Sequence, residues 1–235
     1  AVARTGSTIA RGLAGVAASG EAHDDIATTL ARGWGITGKA DTDRISAALV
    51  LCADHELNVS AFTARCVASA RGTPYMVVTA ALAALQGHRH GGETERFAAM
   101  LDEPGAPAAI LEARLRRGDH IPGFGHPLYP DGDPRAATLL ARRGRGKGGA
   151  RIEAFIAAGR RLLGAEPTLD LGLVALCRAL GLPADAPLAL FAVGRLVGWI
   201  AHAIEQYASE PTIRPRARYV GPGPVEAEPR GGDLR

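Results

Sequence analysis

Aromatic residues make up only 5% of this 235-residue chain, and its three cysteines (Cys52, Cys66, Cys177) are odd in number and widely spaced. A chain poor in aromatics and dominated by Ala, Leu, Val and Gly favours close-packed helices over a β-sandwich. The cysteines have neither metal-ligand spacing nor the pattern of a disulfide framework, so they read as buried thiols in a reducing compartment. A bias of charge is also lacking. The 27 basic and 24 acidic residues leave a net charge of +3, not the basic stripe a nucleic acid would need. The apolar stretch 186–201 is interrupted by Arg195 and followed by His202 and Glu205, the pattern of a buried helix rather than a membrane span. Arg11 falls where a signal peptide needs its apolar region. The expectation is a cytoplasmic protein without nucleic-acid or membrane partners.

What is present is helix after helix, with no convincing period-2 strand: an all-α protein. Apolar periodicity predicts helices over 43–55, 59–70, 106–117, 150–163, 168–180 and 187–207. The 106–117 helix would bury Ile110, Leu111 and Leu115 on one side. Thr73-Pro74 supplies an N-cap and a first-turn proline for a helix to Leu85 that Gly87 stops, and Asp133-Pro134 opens another running to Arg142. The glycine-basic run 142–149 reads as a mobile surface loop, and the tail 222–235 as flexible. Gly194 and Gly198 give a small face for close helix contact.

Six segments carry side chains that the apolar pattern does not explain. Asp54-His55-Glu56-Leu57-Asn58-Val59-Ser60 interrupts an apolar helix with ionisable groups, either a polar turn or part of a site. Gly87-His88-Arg89-His90-Gly91-Gly92 is either a polar cap with incidental histidines or a loop bringing an imidazole to a ligand, and no third or fourth metal ligand accompanies it. In Gly123-Phe124-Gly125-His126-Pro127-Leu128-Tyr129-Pro130-Asp131-Gly132-Asp133-Pro134-Arg135, glycines clear space around His126. Arg135 stands in the first turn of a helix, where a cation opposes the dipole unless an anion binds nearby. Asp170 alone is most simply a helix-start acid. Arg195, in a helix apolar nearly all round, needs a buried anionic partner. Arg214, in Ile213-Arg214-Pro215-Arg216, belongs to a solvated basic tail or to an arm reaching another site.

In this order the segments DHELNVSAFTAR, GHRHGG, GFGHPLYPDGDPRA, PTLD, GRLVGWIAHAIEQ and IRPRARYVGP resemble the citrate synthase family, over residues 54 to about 221. The resemblance implies a two-domain helical homodimer (or a higher even oligomer). The large domain would comprise 1–90 and 176–221, short at its N-terminus, and the small domain 91–175. It implies condensation of acetyl-CoA with oxaloacetate or a similar 2-oxo acid, then hydrolysis of citryl-CoA, with the CoA thioester as substrate and neither cofactor nor metal. Carried over by motif, Asp170 would be the base, His90 the donor to the thioester oxygen and His126 the donor to the acceptor's keto oxygen. His55, Arg135, Arg195 and the partner subunit's Arg214 would hold carboxylates. Ser60 and Asn58 would orient His90, and the backbone of Ile121, Gly123, Phe124 and Gly125 would line the CoA site. Two departures stand out: Pro130 replaces a basic residue that meets CoA phosphates in relatives, a role the 142–147 loop could assume. Glu93-Thr94-Glu95 replaces small or amide residues, and a carboxylate beside His90 would favour the imidazolium. A 2-methylcitrate synthase, a citryl-CoA lyase and a non-catalytic ligand-binding paralogue remain alternatives.

Overall fold

Three apolar cores, stacked along one chain of helices, organise the molecule. The computed structural model describes residues 2–18, 25–87, 90–144, 146, 148–209 and 211–223. Among these it holds eleven α-helices and no strand: α1 (Val2–Ala18), α2 (Ile26–Gly33), α3 (Lys39–Cys52), α4 (Val59–Ser69), α5 (Pro74–Leu85), α6 (Gly92–Asp102), α7 (Pro107–Arg117), α8 (Pro134–Arg142), α9 (Gly149–Leu163), α10 (Leu169–Leu180) and α11 (Ala186–Ala208). The all-α reading therefore stands. Periodicity alone left α1, α2 and α6 unassigned, and α3 begins four residues earlier and ends three earlier than expected. Leu115 of α7 is exposed, so the buried face of that helix is Ile110 and Leu111.

One core joins α1, α4, α5 and α11 around the fully buried Trp199. A second gathers residues of α2, α3, α8, α10 and α11, and a third joins α6, α7, α9 and α10 with Ile121 and Phe124. α10 is the shared wall: Leu169, Leu173, Leu176 and Cys177 face the second core, while Leu171, Val174 and Ala175 face the third. Burial pushes the Cys52 thiol up to about 12 and raises that of Cys177, so neither is a thiolate at neutral pH.

α11 is long and apolar enough to cross a membrane by length and composition, but its inward face packs against α1, α3, α4 and α5. Its two small residues set how closely. A Cβ on Gly194 would lie 2.7 Å from the Leu49 carbonyl oxygen, and one on Gly198 would lie 2.3 Å from that of Ala53. In the glycine-basic run, Arg145 and Lys147 lie outside the described residues, as do 224–235 of the tail. Gly146 is exposed yet packs on α10: a Cβ there would lie 2.3 Å from the Ala179 carbonyl oxygen.

Candidate active site

Two backbone hydrogen bonds build the site. Gly125 N–H donates to the Glu166 carbonyl and Thr168 N–H to that of Gly123, both at 2.9 Å, tying the glycine loop to the start of α10. Gly123 has φ +84°, and a Cβ there would meet the Phe97 ring at 2.8 Å, so the turn needs glycine twice over. The pinning puts His126 and Asp170 on the walls of one cleft of about 390 Å³. His55, Asn58, His90, Glu93, Arg135, Leu188 and Phe191 line it too. The cleft runs between the α3–α4 loop and α11 on one side and the 120–135 segment and the starts of α6 and α10 on the other.

Each histidine is held differently. His126 Nδ1 accepts the Leu128 N–H at 3.2 Å, so the neutral ring carries its hydrogen on Nε2. Pro127 has no N–H, which leaves this bond to Leu128. His55 packs edge-on to His126 at 4.9 Å and stacks on Tyr129 at 5.8 Å between ring centroids. Its buried Nε2 has no hydrogen-bond partner among the described residues, and burial, with the charges of Arg135 and His126, pushes its pKa down to about 4. His90 Nε2 lies 2.9 Å from Ser60 Oγ, and its ring meets Phe191 edge-on at 6.1 Å. Burial, then Arg195, lowers its pKa. The expectation that a neighbouring carboxylate would favour the imidazolium fails: Glu93 is occupied by Arg96 and His120, each at 3.1 Å.

Asp170 lies in the first turn of α10. Burial, with Glu93 the next cause, raises its carboxyl to about 7. Arg135 does not await an external anion, as its helix-start position suggested. Asp133 grips it in a fork, Oδ1 accepting from Nε at 3.0 Å and Oδ2 from Nη2 at 2.8 Å. The same carboxylate caps α8 through the Arg135 N–H at 2.9 Å and accepts the Leu169 N–H of α10 at 3.1 Å. Its hydrogen bonds outweigh burial and lower its pKa. Arg135 also lies over the Tyr129 ring at 5.1 Å.

The remaining predicted residues are placed less directly. Arg195 is fully buried but does not line the cleft, and among the described residues no buried anion meets it. It donates to the carbonyls of Ala53 at 2.6 Å and Glu56 at 3.2 Å, with the exposed Asp54 at 3.8 Å, and its Nε has no partner among the described residues. It thus clamps the loop carrying His55, in which Glu56 has a left-handed φ of +48°. Ile121 packs into the third core, whereas Gly123, Phe124 and Gly125 do line the cleft. Asn58 caps α4 through the Ala61 N–H at 2.9 Å, and its Nδ2 is buried without a partner. Arg214 is exposed: its neighbour Ile213 donates its N–H to Ser69 at the far end of α4. His88 lies outside the described residues. Sequence reasoning missed the gripping role of Asp133, and Tyr129, Phe191 and Trp199 altogether. Only Asp133 had a local signal, a carboxylate two residues before the arginine it holds.

The model of the citrate synthase C-terminal domain family matches residues 5–216. Citrate synthase 2 of Bacillus subtilis is 38% identical over 77% of this chain and 52% of its own length. 2-Methylcitrate synthase 2 of Corynebacterium glutamicum is 34% identical over 81% of this chain and 52% of its own. The chain thus spans about half the length of these curated relatives. Among solved structures, the Thermoplasma acidophilum citrate synthase in ternary complex with carboxymethyl coenzyme A and oxaloacetate has a TM-score of 0.76 at 28% identity, covering 96% of this chain and 66% of that one. The citryl-CoA lyase of Hydrogenobacter thermophilus has a TM-score of 0.74 at 25% identity, covering 86% of both chains.

Proposed function

The chain belongs to the citrate synthase family, and from that premise we propose that it condenses an acyl-CoA with an oxaloacetate-like 2-oxo acid. The observation that carries this reading is the convergence of Asp170, His90 and His126 on one cleft. Asp170 would remove a proton from the methyl carbon of the thioester. That carbon is a very weak acid, so a carboxylate succeeds only if the developing enolate is stabilised at once, the task of His90. A carboxyl titrating near 7 is a stronger base than an ordinary one and still half ionised at neutral pH. His126, with its hydrogen on Nε2, would polarise the keto oxygen and pass that hydrogen to it as the carbon–carbon bond forms. Water then cleaves the citryl thioester, its oxygen going to the carboxylate and a proton to the departing thiol. His55, and Arg135 through the Nη1 that Asp133 does not engage, would hold the acceptor's carboxylates, and Gly123 to Gly125 would meet the CoA.

The site would be completed by a second copy of the chain. Ser69, against which Ile213 is held, stands eleven residues along α4 from the cleft residue Asn58, roughly 16 Å at a helical rise. Arg214 is therefore poorly placed for its own cleft and free for a partner's. Phe62 of α4 and Val197 and Ile204 of α11 form an exposed apolar face on two adjoining helices, the surface such a partner would cover.

Reverse cleavage of citryl-CoA is a second reading, favoured by the structural likeness to the lyase. The donor's acyl length is finer still, because one methylene changes discrimination by only about 1–3 kcal/mol. The test is a thiol-release screen of acetyl-CoA and propionyl-CoA against several 2-oxo acids, run beside citryl-CoA cleavage. Release of CoA only with an acceptor present supports condensation. Acceptor binding without release in either direction would leave a ligand-binding paralogue.

A further inference from the structure

Ser60 Oγ has three polar neighbours, and one hydrogen and two lone pairs with which to meet them. Trp199 Nε1 lies 3.1 Å away, His90 Nε2 2.9 Å and Asn58 Oδ1 3.0 Å. The indole N–H can only donate, so it occupies one lone pair. Asn58 Oδ1 can only accept, and its amide is kept from turning over because the same oxygen caps α4 at Ala61. Ser60 therefore gives its hydrogen to Asn58, and its last lone pair takes the hydrogen of His90 Nε2. This filling dictates a tautomer: neutral His90 is protonated on Nε2 and leaves Nδ1 for the cleft as a bare acceptor. To offer an N–H to a thioester oxygen while neutral, His90 needs its hydrogen on Nδ1, with the Ser60 hydroxyl turned from Asn58 to Nε2. The two arrangements hold the same number of protons.

We propose that Trp199 is a positioning residue for this site: by holding the Ser60 oxygen, its N–H makes one hydroxyl hydrogen decide which nitrogen of His90 carries a proton. Without that donor, a serine in the first turn of α4 is free to bond back to a nearby backbone carbonyl and leave His90. With it, Ser60 can turn only between Asn58 and His90. Donation into the oxygen also strengthens the hydroxyl as a donor to whichever of the two it faces. Ser60 and Trp199 are both 0% exposed, so water does not readily take the place of the indole.

The kinetic part of the test rests on the condensing reading; the spectroscopic part does not. The full chain, labelled with 15N in its histidine rings, is compared with Trp199→Phe and with a form carrying 3-benzothienylalanine at that position. The second replacement keeps the bicyclic volume and removes only the N–H, so it serves where the phenylalanine form fails to fold. The unliganded wild type should show His90 as one Nε2–H tautomer above its own titration, and both replacements a mixture. The kcat for thiol release should fall about tenfold, the worth of one hydrogen bond, with KM for the 2-oxo acid little changed. An unaltered tautomer in the benzothienylalanine form overturns the inference and makes Trp199 a packing residue. So does an Nδ1–H tautomer in the unliganded wild type. A tautomer shift in a chain that releases no thiol with any substrate supports the inference and counts against the condensing reading alone.

Discussion

Asp170 is expensive to keep charged. Its carboxyl titrates near 7 in the folded chain against an ordinary 3.8, chiefly through burial, so between those values the folded state holds a proton that the unfolded state gives up. Stability from this group is therefore full below about pH 4 and lost as the pH rises through 7. Asp170→Asn removes the titration. It should lower kcat for thiol release by at least about a thousandfold, the upper range for a general base, while raising Tm above that of the wild type at pH 8. The gap in Tm should close by pH 4. An activity loss without the pH-dependent gain in Tm, by calorimetry at the two values, would show that the buried carboxylate is compensated by groups other than those described. His55 has the opposite sign. Its pKa near 4 lies below the unfolded value of about 6.5, so its contribution is full at neutral pH and fades as the pH falls through that window. Neither sign is legible in the sequence. An aspartate at a helix start and a histidine in a polar turn look ordinary until the burial around them is known.

At the scale of elements, Asp133 does the joining. One carboxylate accepts the backbone N–H groups of Arg135 in α8 and Leu169 in α10 and also pairs with the Arg135 side chain. Asp133→Ala would leave a largely buried guanidinium unpaired and two helix starts uncapped. The expected loss is about 3–5 kcal/mol, the range for breaking a buried pair, read as a lower urea midpoint. Asp133→Asn, which keeps one oxygen and with it one of the two caps, should lose less. Equal losses would mean that the ion pair carries the whole effect and the caps nothing. Helices with apolar periodicity or a Pro-marked start, such as α5, α8 and α11, are readable from sequence because burial and capping leave local marks. α6 has no side-chain cap and buries Thr94, and α2, though capped by Asp25, is only eight residues long and buries Thr29. Their helicity is tertiary in origin. The site residues were found by the order of motifs. What holds those residues was not, because Tyr129, Phe191 and Trp199 act across up to about 140 residues of sequence and show no spacing at all.

The whole molecule must explain why its arginines are so unevenly placed. Arg135 is bound by Asp133, Arg195 is turned onto loop carbonyls, and Arg214 stands in solvent at the far end of α4. One chain thus offers a dicarboxylate little free positive charge in its own cleft, although three histidines surround the place where it would sit. On the proposed reading a partner's arginine would supply the missing charge, and such an arrangement would leave a signature that no single-chain site can imitate. Arg214→Ala should raise KM for the 2-oxo acid, and Asp170→Asn should abolish turnover. When the two variants are mixed and allowed to exchange subunits, each mixed dimer carries one site with both defects and one with neither. About a quarter of all sites should then be intact, by random pairing of subunits in a two-fold dimer. Thiol release at low acceptor concentration would rise above that of either variant alone. If Arg214 acts within its own chain, every site in the mixture retains one defect and no recovery occurs, however long exchange proceeds. Subunit exchange itself is followed by native mass spectrometry of differently tagged chains, so failure to recover activity in demonstrably mixed dimers would place Arg214 outside the shared site.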